Sequence, residues 1–259
     1  MRKYRILLFT VMIATASVSH AQSFLDKLKK VVKEKTDTTT KTNTTITNSS
    51  VTAAVSSLST TDVSSALKQA LNTGVEDGVK KLGVENGFFG NSLVKILLPE
   101  KLQKIEKAFR AVGLGSLADQ GVKLLNRAAE DAVTESVPIF ANAITSMSFA
   151  DAKKILLGSD TAATSYLQNK TTSQLVTAFK PKVEQSLGKV GADKVWSQLV
   201  SKYNAISHDN MTTDLNQYVT EGTISGVFKM VAQKEEGIRS SPALRTTSVL
   251  KNVFGALDK

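Results

Sequence analysis

From residue 61 onward, apolar side chains recur three and four positions apart almost without interruption, the spacing of an amphipathic helix rather than of a strand. The clearest run is 63–82, where apolar or small residues stand at 63, 66, 67, 70, 71, 74, 75, 78, 79 and 82. This predicts one long helix burying a single face, with Thr61 or Asp62 capping its start. Ala70, Gly74 and Gly78 form a ridge of small residues on that face. A mid-helix Gly costs about 1 kcal/mol relative to Ala, so the ridge predicts close approach of another helix or of a returning segment.

The rhythm breaks over 84–98. Residues 86–91 (NGFFGN) read as a turn that leaves Phe88 and Phe89 looking outward, and 93–98 is apolar without a helical period. A loop with one short extended segment is expected there. Pro99 opens a helix at a position where its missing N–H costs nothing, with Leu102, Ile105, Phe109 and Val112 inward and Gly113 and Gly115 ending it. Ser116 is expected to cap the next helix, and 138–147 to form another. Ser148 and Asp151 make a capping box for a run to 157. Asp160 is expected to cap a short helix over 161–169, followed by 172–188 with a break near Phe179 caused by Pro181. Helices over 192–203, about 213–239 and 243–257 complete the reading. The fold class is all-α: a single domain over 58–257 with eight to ten helices and one irregular segment.

The first 57 residues follow other rules. Arg2, Lys3 and Arg5 precede an apolar stretch, 6–16, too short to span a bilayer, and Ser19 and Ala21 sit at the −3 and −1 positions of a cleavage site before Gln22. Residues 1–21 therefore read as a signal peptide, giving a periplasmic address, with secretion as the alternative. Residues 24–35 (FLDKLKKVVKEK) place Phe24, Leu25, Leu28, Val31 and Val32 on one face and lysines, Lys29 and Lys30 among them, elsewhere. Two readings stay open: a frayed basic terminus, or weak contact with an anionic membrane surface through Phe24, Leu28, Lys29 and Lys30. Residues 36–57 form a Thr- and Ser-rich tether, expected to be disordered. Within it, Asp37-Thr38-Thr39 resembles an acceptor of bacterial O-glycosylation.

Charge narrows the partners. The chain carries a formal +10. Most of this excess lies before residue 61, because 61–259 balances 24 basic against 20 acidic groups. Nucleic acid is not an expected partner, since phosphate neutralisation needs a dense basic face. The absence of cysteine excludes disulfides, thiol catalysis and thiolate metal sites.

Residues 87–91 (GFFGN), 98–108 (LPEKLQKIEKA), 113–119 (GLGSLAD) and 126–130 (NRAAE) resemble an exported bacterial family known as domain of unknown function 4197. So do 147–152 (MSFADA), 158–166 (GSDTAATSY), 218–220 (YVT), 242–246 (PALRT) and 253–255 (VFG). The resemblance spans roughly 56–255 and implies a helical exported protein. It brings no activity, cofactor or catalytic residue.

Chemistry is searched by elimination. Nucleophile-elbow, P-loop, His-Glu-x-x-His and EF-hand patterns are all missing. Ser207-His208-Asp209 are neighbours in sequence, which does not give triad geometry. No catalytic residue, metal or cofactor is expected. Glu100, Glu106, Asp119, Glu130, Asp151 and Asp160 could converge as a carboxylate pair, or serve as caps and ion pairs such as Glu106–Arg110 and Glu235–Arg239. Residues 61–259 hold twenty Lys but only four Arg: Arg110, Arg127, Arg239 and Arg245. A guanidinium favours planar bidentate partners, so the candidates for an anion pocket or for inter-helix ion pairs are these four with Glu106, Glu130, Asp151 and Asp160. Three functions remain open: a periplasmic binding or structural module with an unknown protein or small-molecule partner, a carboxylate-dependent hydrolase or lyase, and an envelope-surface protein tethered by 24–35.

Overall fold

The computed structural model describes residues 59–104, 106–208 and 214–258, without the side chains of Glu106, Ala108 and Phe109. The expected signal peptide, basic segment and Thr-rich tether, with Phe24, Leu28, Lys29, Lys30 and Asp37-Thr38-Thr39, lie outside the described residues, as do Ile105 and the Phe109 side chain. Among the described residues there is no strand, and the fold is all-α.

Helix α1 (Thr60–Leu82) buries the ten positions of its apolar stripe and leaves the rest to solvent. Its cap is Ser59, not Thr61 or Asp62: the Ser59 hydroxyl accepts the Asp62 amide at 3.0 Å. The cap lies two or three residues earlier because the helix starts before its first apolar residue.

Between Leu82 and Glu100 the chain is irregular but tightly held. Val94, Ile96 and Leu98 are buried while Leu97 is half exposed, the period-two alternation of extended backbone. Phe88, expected outward, is fully buried. The chain then enters α2 (Glu100–Lys104) and α3 (Glu106–Ala111). Leu102 points inward as expected, but Val112 is 61% exposed, because the helix ends at Ala111 and Gly113 turns the backbone at φ 78°.

Helix α4 (Gly115–Ala132) begins one residue before the expected cap, Ser116, and its N-cap, Leu114, makes no side-chain bond. A 3-10 turn (Val133–Glu135) leads into α5 (Ser136–Thr145). Helix α6 (Phe149–Leu156) carries the expected capping box, with Ser148 and Asp151 each bonding the other's backbone.

Helix α7 (Ala162–Lys189) runs unbroken for 28 residues through the stretch expected to be two helices, and through Pro181. Two causes are visible. The Thr171 and Thr172 hydroxyls bond back to the Leu167 and Gln168 carbonyls at 2.7 and 2.6 Å, so this polar run satisfies itself inside a helix. Around Pro181, Phe179 and Val183 are fully buried on one face. That burial, about 1.5–3 kcal/mol per side chain, offsets the roughly 3 kcal/mol a mid-helix proline costs.

Helix α8 (Ala192–Ser207) buries Trp196, Leu199 and Tyr203. Helix α9 (Leu215–Ser240) is the spine of the domain, packing against α7, α1 and α4. A 3-10 turn (Pro242–Leu244) precedes α10 (Ser248–Gly255), which starts five residues later than expected and lies on α1. Thr247 caps it.

The expected close approach at the α1 ridge is real but loose. A Cβ at Gly74 or Gly78 would lie 3.5 or 3.4 Å from the Lys234 or Met230 Cβ of α9, ordinary contact. The tight ridge is on α9 itself. A Cβ at Gly222 would sit 2.8 Å from Ile96 Cδ1, and one at Gly226 would run into the Phe88 ring. These two glycines let the 84–98 segment lie directly on the spine helix. We expect Gly226→Ala to destabilise the domain by ~1–3 kcal/mol through overpacking, while Gly78→Ala, which meets only ordinary contact, should gain up to about 1 kcal/mol of helix propensity. Thermal melts of the two variants check this; an unchanged melting temperature for Gly226→Ala refutes it.

Candidate functional site

The four candidate arginines occupy four separate places. The first is a buried pair on α9. The Glu235 carboxylate accepts the amides of Ala163 and Thr164 at 2.9 and 2.8 Å and the Thr164 hydroxyl at 2.9 Å, which caps α7. Asp160 does not cap α7 and is exposed. The cap comes instead from 71 and 72 residues downstream, because a buried carboxylate delivered by α9 can reach two amides at once. Arg239 donates to Glu235 at 3.1 Å and to the Leu156 and Ile155 carbonyls at 3.1 and 2.8 Å, closing the end of α6. Each charge meets the helix terminus of opposite partial charge.

The second place repeats the device on α4. Glu130 accepts the Phe88 and Phe89 amides at 3.0 and 3.1 Å, and Arg127 donates to Glu130 at 2.7 Å while also pairing with Glu85. One turn earlier, the buried Asn126 amide accepts from Ile96 N at 2.8 Å and donates to Ile96 O at 2.7 Å. A side chain thus stands where a neighbouring strand would. The 84–98 segment needs no sheet, because α4 supplies its partners.

The third place is Arg245, fully buried in the turn before α10. It donates to the Ile238 and Arg239 carbonyls at 3.0 and 2.8 Å and forks onto Asp258. This closes the end of α9 and delays the start of α10. Arg245 holds the Asp258 carboxyl below its usual pKa. The latch's contribution is therefore present above the ordinary carboxylate pKa and lost as pH falls through the depressed one. The fourth is Arg110, forked onto Asp119 at 2.8 and 3.3 Å at the surface, where it lowers the Asp119 pKa. The expected Glu106–Arg110 pair lies outside the described side chains. Asp151 belongs to the α6 capping box; its pKa is lowered first by the Ser148 hydroxyl and then by the Ser148 amide. Among the described residues, no three His, Asp or Glu side chains gather as a metal set.

Two cavities adjoin these groups. A small one of about 20 Å³ beside Glu235 and Arg239, lined by Leu67, Leu71 and Phe254, has room for about one water. A larger, open cleft of about 260 Å³ lies between the 89–98 segment, α2 and α4. Leu97, Leu98, Ala118 and Val122 give it an apolar wall, with Phe89, Lys95, Gln103 and Asp119 around them. The extended segment positions this wall: with Val94, Ile96 and Leu98 inward, Lys95 and Leu97 stand out beside the cleft. Its backbone is fixed from three sides, by Asn126 at Ile96, by the Tyr218 hydroxyl on Leu97 O at 2.8 Å, and by the Lys229 ammonium on Leu93 O at 3.2 Å. Sequence reasoning missed both Asn126 and the cleft. A signal was available: Asn126 and Glu130 are polar residues one turn apart on the flank of an otherwise apolar stripe.

Replacing Asn126 by Ala should strand the Ile96 amide and carbonyl in the core, at about 1–3 kcal/mol per unsatisfied group. Hydrogen exchange checks this directly: amides over 93–98 should lose protection before those of α9. If they keep wild-type protection, Asn126 does not hold the segment.

No curated protein and no solved structure matches the chain. A family model does match, over residues 57–255, with bounds close to those of the helical domain and spanning both arginine–glutamate pairs, Asn126 and the cleft. The chain belongs to the family described as protein of unknown function DUF4197.

Proposed function

We propose that this protein is an exported, non-catalytic binding module of the cell envelope, and that the cleft between the 89–98 segment and α4 is where it meets its ligand. The observation that carries the reading is the cleft itself: a concave, mostly apolar wall on a backbone anchored by Asn126, Glu130 and Tyr218. Binding sites combine such a wall with a few placed polar groups. At about 260 Å³ the cleft falls below the usual 300–1,000 Å³ of small-molecule sites, so it suits one short apolar group rather than a whole cofactor. The buried carboxylates Glu130 and Glu235 are committed to backbone amides and arginines, which favours binding over acid–base chemistry. Export rests on Arg2, Lys3 and Arg5, the apolar stretch 6–16 and the Ser19/Ala21 cleavage pattern. Among the described residues, no helix is long and apolar enough to cross a membrane.

Two measurements test the reading. Intact mass of the protein recovered from the periplasm should correspond to a chain beginning at Gln22; a cytoplasmic product beginning at Met1 removes export. Methyl NMR of the mature protein, titrated with octanol, octanoate and octylammonium, should show saturable shifts of the Leu97, Leu98 and Val122 methyls with at least one probe. If none of the three moves them, the cleft is not a binding site.

A further inference from the structure

The charge around the cleft says more about what enters it. The Lys95 ammonium sits 4.0 Å from the centroid of the Phe89 ring. Among the described residues, no ion pair takes it up. Asp119 lines the same cleft and feels the Lys95 charge, but both of its oxygens are engaged by the Arg110 guanidinium, at 2.8 and 3.3 Å, so the three groups together keep one net positive charge. A planar fork holds a carboxylate better than a point-charge ammonium does, so Asp119 is satisfied and Lys95 is left as net positive charge.

Resting on the cleft reading above, we infer that the ligand is a small anionic amphiphile. Its short apolar chain lies against Leu97, Leu98, Ala118 and Val122, and its single carboxylate pairs with Lys95 above the Phe89 ring. The geometry selects the class in three ways. An apolar wall with one cation beside it matches a chain with one charged end. The ring under Lys95 keeps the ammonium beside the wall, because a cation over an aromatic face is held by the ring quadrupole. A dianionic head group would leave one charge unpaired next to Asp119, so a monoanion fits better. A cationic amphiphile would bring like charge against Lys95 and find Asp119 already occupied.

The test is the charge series on the mature protein, read as dissociation constants from the Leu98 and Val122 methyl shifts. Octanoate should bind about fivefold more tightly than octanol, the size of one partly exposed ion pair, and octylammonium more weakly than either. In Lys95→Gln the advantage of octanoate over octanol should vanish while octanol affinity stays the same. In Leu97→Ser both should weaken together. Octanol binding as tightly as octanoate, or a ratio unchanged in Lys95→Gln, overturns the anionic assignment and leaves the cleft reading standing. Loss of all binding by wild-type protein overturns both. The wild-type charge series decides the matter even if either variant folds poorly.

Discussion

Two charges on one turn of α9 join three helices. Glu235 caps the start of α7, Arg239 closes the end of α6, and the two side chains bond to each other in the core, each less than a tenth exposed. Burying a charge costs several kcal/mol unless it is paired and its remaining bonding capacity is filled. Here every partner is in place: amides and a hydroxyl for the carboxylate, carbonyls for the guanidinium. The arrangement also complements the dipoles of both helix ends. The turn between α6 and α7 therefore needs no strong local cap, and α9 is held against both helices at once.

The same logic recurs wherever this fold must fix irregular backbone. Glu130 and Arg127 hold the turn at Phe88, Asn126 holds Ile96, and Arg245 with Asp258 holds the chain as it leaves α9. In each case a side chain projecting from a helix or a turn supplies the hydrogen bonds that a sheet or a local cap would otherwise give. Gly222 and Gly226 then let the 84–98 segment lie on α9. The cleft follows from these constraints. Its apolar wall joins Leu97 and Leu98 of that anchored backbone to Ala118 and Val122 of α4, so the wall is held in place without being covered.

Much of this was legible from periodicity. The ten stripe positions of α1, the inward Leu102 and the Ser148–Asp151 capping box are local features, set by side chains three and four residues apart. The misreadings share a cause. The α7 cap, the burial of Phe88, the survival of a helix through Pro181 and the late start of α10 are all decided by partners distant in sequence or by burial in the assembled core. Local reading sees Asp160 three residues before the α7 amides; it cannot see Glu235 arriving from α9. It also places Gly74 and Gly78 at a helix crossing, yet misses Gly222 and Gly226, because the requirement there comes from Ile96 and Phe88, on a segment far away in sequence. The arginines were the most informative residues, since scarcity against twenty lysines singled out side chains whose planar geometry the fold uses.

The most direct test of this account is a double-mutant cycle on Glu235 and Arg239, measured by denaturant unfolding of the mature protein. Removing either partner alone should cost about 3–5 kcal/mol, as for any buried pair left half-complete. The coupling energy between the two should fall in the range of about 0.5–3 kcal/mol seen for residues in one network. Single substitutions costing less than about 0.5 kcal/mol, the level of ordinary surface changes, with no measurable coupling, would contradict the claim that this pair organises the fold.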